Sequence, residues 1–115
     1  MARPKMLNAV LDACILYPAP IRDLLLSFAE VGLFNPFWSD KINDEWVRNL
    51  LLNRADLSLE KLQSTVDAMN FAFPDANVQE NSGLTDSISL PDLNDRHVLA
   101  TAIQCESSLI VTANL

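Results

Sequence analysis

The segment Ala9-Val10-Leu11-Asp12-Ala13-Cys14-Ile15-Leu16 holds a single carboxylate inside an otherwise apolar run, with no basic residue beside it. An ionised carboxylate withdrawn from water without a partner is so costly that it protonates, pairs or meets a cation. Either the strand ends at Asp12, or something positive comes to it. Leu7 to Leu11 read as a continuously apolar strand, the pattern of a parallel sheet covered on both faces. Such a strand belongs in the middle of its sheet.

The rest of the chain supplies the helices that such a sheet needs. Pro18 and Pro20 open a helix with Ile21, Leu24, Leu25, Phe28 and Ala29 at helical spacing, Arg22, Asp23 and Glu30 off that stripe, and Gly32 just past its end. Leu33 to Trp38 is a short second strand. Ser39 caps a helix from Asp40 to Leu52, whose inner stripe is Ile42, Trp46, Val47, Leu50 and Leu51. A third helix runs from about Ser58 to Phe71, with Leu59, Leu62, Val66, Met69 and Asn70 near one face, and stops before Pro74. Ala76 to Val78 is a brief strand, and Gln79 to Leu90, polar or small and containing Gly83, is a loop. Pro91 to Asp95 lead into a helix with the stripe Val98, Leu99, Ala102 and Ile103, and Ser108 to Thr112 close as an apolar strand. Strands alternating with helices at this spacing predict one α/β domain with a mostly parallel sheet.

Charge and cysteine content narrow the function. Eight Lys and Arg against 15 Asp and Glu give a net charge of −7, so the protein as a whole repels nucleic acid and anionic membrane. A polyanionic substrate therefore requires a local basic patch or a bound metal. Cys14 and Cys105 lack the spacing of a zinc site or a disulfide framework, and read as reduced, buried thiols in a cytoplasmic protein. The basic start Arg3-Pro4-Lys5 is followed by an apolar run too short and too interrupted for a signal peptide or a membrane span.

In open α/β sheets the site lies beyond the carboxyl ends of the strands, near a topological switch point. Asp12 falls late in the first strand and Asn114 at the end of the last. Asp92 and Asp95 stand before the last helix, and Glu45 sits one position before the inward Trp46. A parallel sheet points Asp12, Asp95 and Asn114 into one crevice that Glu45 reaches from the side. Like charges that close raise one another's pKa unless a cation is present, and oxygen-only ligands select a hard divalent ion, Mg²⁺ or Mn²⁺. Each position also has a plainer reading: Asp95 as a first-turn acid, Glu45 as a solvated helix residue beside Asp44.

Taken together, Val10-Leu11-Asp12-Ala13-Cys14-Ile15-Leu16-Tyr17-Pro18, Asp44-Glu45-Trp46, Asp95-Arg96-His97-Val98-Leu99-Ala100-Thr101-Ala102 and Val111-Thr112-Ala113-Asn114 resemble a PIN domain, and within that family the bacterial VapC-type ribonuclease toxins. The resemblance spans nearly the whole chain in order. It implies a three-layer α/β/α fold and a Mg²⁺- or Mn²⁺-dependent endoribonuclease, with Asp12, Glu45 and Asp95 as the acidic positions. The fourth acidic position falls near Asn114, an amide that ligates through its carbonyl or orients water, and Asp92 is the candidate substitute. Relatives of this type continue past the Asn-Leu pair with an acidic, aromatic segment. The resemblance thus implies a domain over residues 1–115 lacking its last element, with a sheet edge left uncovered. It also implies an RNA substrate, a homodimer and a cognate antitoxin as partners.

The expected chemistry is phosphodiester hydrolysis, in which the ion lowers the pKa of a bound water and no protein nucleophile is needed. Arg22, Arg48 and Arg54 are read either as phosphate contacts or as parts of solvated helix faces. Thr112 is read as a buried-strand residue rather than one that positions a water or ligand, His97 as a surface or helix-packing residue rather than a general acid or base, and Trp38 and Trp46 as core rather than base-stacking groups. The alternative class is a PIN-like binding module without catalysis. A phosphoacceptor receiver domain is disfavoured, for no acidic pair stands near the first strand and no Lys follows a late one.

Overall fold

The structure, a computed structural model, describes residues 7–79, 93–107 and 109–112, and for residues 93–95 the backbone alone. Three strands, β1 (Asn8–Leu11), β2 (Asn35–Phe37) and β3 (Leu109–Val111), form a sheet in the order β2-β1-β3, every pair parallel. Five helices accompany them among the described residues: α1 (Ala13–Leu16), α2 (Ala19–Glu30), α3 (Asp40–Asn53), α4 (Leu59–Ala72) and α5 (Leu93–Gln104). This is the α/β class with a parallel sheet, and β1 is its centre as the apolar run predicts. Ala9, Val10 and Leu11 are buried, since helix α5 and the neighbouring strands leave them no access to water. The register pairs Val10 with Phe37 on one side and Leu11 with Val111 on the other. Beyond β2 the pairing continues as a single parallel bridge between Trp38 and Asn77, where a brief strand over 76–78 is expected.

Local chemistry sets the ends of the elements. Asp12 leaves the strand with φ −73° and ψ 160° and caps α1, its Oδ1 accepting from the Ala13 amide at 2.7 Å. Ser39 Oγ accepts from the Ile42 amide and Ser58 Oγ from the Lys61 amide, each at 3.2 Å, as N-caps of α3 and α4. Helix α2 closes in a Schellman motif. The Leu33 amide reaches back to the Phe28 carbonyl and the Gly32 amide to that of Ala29, with Gly32 at φ +85°, a conformation that glycine adopts at least cost. Leu33 is consumed by this closure, so β2 begins at Asn35 rather than at Leu33.

The core gathers around Trp38 and Trp46, both fully buried, with Val10, Leu11, Leu16 and Ile42. Each indole nitrogen is satisfied from a helix: Trp38 Nε1 donates to Asn70 Oδ1 at 2.7 Å, and Trp46 Nε1 to Asn43 Oδ1 at 2.9 Å. The inward residues of α3 and α4 are those predicted, except that Leu51 and Asn70 are half-buried, Leu59 is exposed, and Asn43, not expected on the inner face, is buried.

Two helices are rotated from the expected faces. In α5 the buried residues are His97, Val98, Ala100, Thr101 and Ala102, while Ile103 is half exposed. Thr101 can be buried because its hydroxyl donates to the His97 carbonyl at 2.8 Å within the same helix. In α2 the inner residues are Arg22 and Ala29 with Leu25 and Leu26 half-buried, and Ile21, Leu24 and Phe28 face outward.

Arg22 explains the second rotation. Rather than lying on a solvated face, it is only 8% exposed; its Nη1 donates to the carbonyl of Leu16 at 2.8 Å, and its Cζ lies 4.6 Å from the Trp46 ring centroid. One guanidinium thereby ties α2 to the end of α1 and to the indole of α3. Burial lowers its pKa, opposed by the nearby Asp23 carboxylate, yet an arginine stays charged in any case. Replacing Arg22 by Ala is expected to cost about 2–4 kcal/mol, the sum of a charge-assisted hydrogen bond and a desolvated cation–π contact. Lys at this position should recover less than half of that, because an ammonium cannot stack on Trp46 while reaching Leu16. Urea denaturation midpoints of the two variants measure both effects.

Candidate functional site

The parallel register carries the site. Leu11 is paired with Val111, so the residues after each strand, Asp12 and Thr112, come out side by side at the carboxyl end of the sheet. The Asp12 amide makes one last bond to the Val111 carbonyl at 3.0 Å, which fixes this alignment. Thr112 Oγ1 then donates to Asp12 Oδ2 at 3.2 Å. Cys14, in the first turn of α1, turns its side chain back toward the cap as helical side chains do. Its Sγ lies 2.9 Å from Thr112 Oγ1 and 3.6 Å from Asp12 Oδ2.

Asp12 is half-buried and Thr112 exposed, so the group is open to solvent on one side. Thr112 is therefore not the buried-strand residue expected; it stands one residue past the strand, where its hydroxyl turns toward the carboxylate. Among the described residues Asp12 is met by an amide, a hydroxyl and a thiol, and by no Lys, Arg or His side chain. The carboxylate also stands at the switch point of the sheet, since the chain goes from β1 to β2 on one side and returns to β3 on the other.

The other predicted positions fall as follows. Glu45 is half-buried on α3, a helix that packs against α1, and its carboxylate is not among the hydrogen-bond partners of Asp12. The backbone of Asp95 is the third residue of α5; its side chain, and the whole of Asp92 and Asn114, lie outside the described residues. Among the described residues no three His, Cys, Asp or Glu side chains form a group able to hold a metal ion. Of the arginines considered for phosphate, Arg22 is in the interior, Arg54 is exposed but held by Asp56 through paired bonds of 2.9 and 2.8 Å, and Arg48 is exposed on α3. His97 is buried in the packing of α5. A cleft of about 450 Å³ lies at the opposite end of the strands, between Asn8, Asn35 and the turn from Phe73 to Ala76.

The Asp12 carboxylate offers one oxygen ligand of the kind that a hard divalent ion takes. A carboxylate oxygen accepts in two directions; Oδ1 spends one on Ala13, and Oδ2 is held by a hydroxyl and a weak thiol donor. Sequence reasoning missed Cys14 as a member of the group and set Thr112 aside as a buried-strand residue. The signal was present only as a register: once the two apolar strands are paired with Leu11 opposite Val111, the next residues must meet.

No family model matches the chain, and comparisons with the curated proteins and with the solved structures return no match. Among the described residues no helix is long and apolar enough to cross a membrane.

The two cysteines, neither in a disulfide and both half-buried, differ in setting. Cys105 donates to the Ala102 carbonyl at 3.7 Å, and burial pushes its pKa above the ordinary thiol value, opposed by hydrogen bonds from the backbone and from Ser107. Alkylation of Cys105 by iodoacetamide should therefore rise with pH through a midpoint above the usual ~8.5 of a free cysteine. Folding stability should fall as pH climbs through the same window, because the folded chain holds that proton longer than the unfolded one. Site-resolved mass spectrometry of the labelled protein reads the first, and denaturation at alkaline pH the second.

Proposed function

We propose that this chain is a metal-dependent endoribonuclease of the PIN type, with the three-layer arrangement that this implies, and that Asp12 is the first ligand of its Mg²⁺ or Mn²⁺. The observation that carries the reading is the position of Asp12: a carboxylate with only neutral partners among the described residues, at the carboxyl end of the central parallel strand. As the cap of a four-residue helix this group could be Ser, Thr or Asn without a charge, so capping alone does not account for a carboxylate.

The bound ion would supply Lewis-acid chemistry, activating water and stabilising charge on a phosphodiester. The chain's own residues prepare for it. The Ala13 amide fixes one carboxylate oxygen of Asp12, and the Thr112 hydroxyl orients the other, so the carboxylate is held before any ligand arrives. Glu45 and Asp95 complete the acidic set, with Asn114 or Asp92 at the fourth position. RNA is the substrate that the resemblance assigns, and the location of such an enzyme is the cytoplasm.

A binding role has its own observation. Ile21, Leu24, Phe28, Val31 and Leu33 run along and just beyond the outer side of α2, with Leu24 53% and Val31 73% exposed. An apolar stripe of this kind on a small domain suits a second copy or an antitoxin-like protein, with or without catalysis.

Cleavage of a small RNA panel with Mg²⁺, with Mn²⁺ and with EDTA tests the enzymatic reading. The expected result is cleavage that EDTA abolishes and that Asp12→Asn reduces by more than about 100-fold, beyond the 10–100-fold usual for groups that only support a ligand. Cleavage that persists in EDTA, or an undiminished Asp12→Asn protein, overturns it.

A further inference from the structure

We infer that the cleft between α2 and α4 binds a small zwitterion, an α-amino acid with an apolar side chain, whose carboxylate pairs with Arg22 and whose ammonium meets Asp23 or Glu30. The cleft encloses about 350 Å³, and none of its lining residues belongs to the group at Asp12. The inference therefore stands apart from the nuclease reading.

The cleft contains a cation short of partners. Arg22 lines it while being only 8% exposed, and of its three nitrogens Nη1 alone has an acceptor, the Leu16 carbonyl. Its Nε is buried without one, and among the described residues no carboxylate lies within ion-pair distance of the guanidinium. A charge withdrawn from water ordinarily meets a counter-ion, because the interior does not replace the hydration it has lost. Trp46 covers one face of the guanidinium and leaves its edge unengaged. That edge, Nε with Nη2, is the kind that takes a carboxylate through two parallel hydrogen bonds.

The charges around Arg22 narrow the ligand further. Asp23 and Glu30 also line the cleft, both exposed, and stand about two helical turns apart on the same side of α2. Burial lowers the Arg22 pKa and the Asp23 carboxylate raises it, so that carboxylate is near, yet the two form no ion pair. A simple acid passing two carboxylates, in a chain whose net charge is −7, is repelled. An amino acid brings its own ammonium to them. The rest of the wall is apolar: Leu26 and Phe73 are half-buried and Met69 is buried, a lining that suits an aliphatic, thioether or aromatic side chain. One cation, two carboxylates and an apolar wall match the three parts of such an amino acid, and no one of them alone would select it.

The test is calorimetric titration of the whole chain with L-leucine, L-methionine and L-phenylalanine at neutral pH. The expected result is saturable binding of at least one of them at one site per chain. The analogues of that amino acid lacking the ammonium or the carboxylate should bind at least ~10-fold more weakly, a loss of about 1.4 kcal/mol, and so should glycine, which has no apolar part. Asp23→Asn combined with Glu30→Gln, both at exposed positions, should lower the affinity at least ~10-fold and leave the ligand-free urea midpoint in place. Ala68→Trp, at an exposed position of the cleft wall, should abolish binding by filling the space. In nitrogen-15 spectra the Nε–H resonance of Arg22, identified as the one missing from Arg22→Lys protein, should shift on saturation.

Circular dichroism checks that the variants are folded. Should one of them unfold, the analogue series with the unaltered protein decides alone. Absence of saturable binding for all three amino acids at millimolar concentration overturns the proposal. So does an analogue without ammonium or carboxylate that binds as tightly as the amino acid, a folded variant that binds undiminished, or an Arg22 resonance that does not move. Cleavage of RNA enters none of these readouts.

Discussion

Everything in this fold is arranged around a strand that has water on neither face. Ala9, Val10 and Leu11 are buried between two parallel neighbours, so β1 cannot end gradually, and the first polar residue after it marks the edge of the core. That residue is Asp12, and its three atoms of consequence are all used at once. The amide closes the ladder to β3, Oδ1 starts α1, and Oδ2 receives the group arriving from the end of β3. A neutral cap would do the first two. Only the third profits from a carboxylate, and this is why the end of β1 is both a structural corner and the place to look for chemistry.

The second dependency is the placement of one cation inside the core. Arg22 holds the Leu16 carbonyl, which a helix as short as α1 leaves without an internal donor, and covers the face of Trp46. To put Arg22 inward, α2 must turn Ile21, Leu24 and Phe28 outward. The exchange makes sense only if the polar corner at α1 needs fixing more than the core needs three further apolar side chains. Fixing it steadies the element that carries Asp12 and Cys14. The outward stripe is thus a by-product of stabilising the site, and it supplies the apolar surface that a partner can cover.

How much of this was legible follows from the range of each interaction. Helix starts at Ser39 and Ser58, the Gly32 stop and the buried run of β1 were readable, because caps, left-handed glycine and continuous apolar strands are written in neighbouring residues. Which face of α2 or α5 turns inward was not. Periodicity ranks apolar residues and places an arginine outside by default, and nothing in the neighbourhood of Arg22 announces a carbonyl and an indole waiting from two other helices. The site divides in the same way. Asp12 stood out as a charge in an apolar run, whereas Thr112 and Cys14 acquire meaning only from the pairing of Leu11 with Val111. The positions Asp92, Asp95 and Asn114, two acids and an amide, were singled out from strand ends and helix starts, and no side-chain geometry bears on them.

The charge distribution carries a consequence for RNA that separates two ways of binding it. Of the eight Lys and Arg, Arg22 is buried and Arg54 is committed to Asp56, which leaves at most six in a chain whose net charge is −7. A protein that grips RNA through phosphate contacts shows an affinity that falls steeply with salt, because each contact releases counterions. Here the cations remaining for such contacts are few, so on the nuclease reading affinity must come mainly from the ion site and from uncharged contacts to sugar and base. Binding isotherms across a salt series, in the presence of Ca²⁺ to hold catalysis in check, should give a log–log slope no steeper than about −4, for at most roughly six neutralised phosphates on a single strand. A much steeper slope would mean that a basic surface dominates binding, and the carboxylate at the end of β1 would then need another explanation.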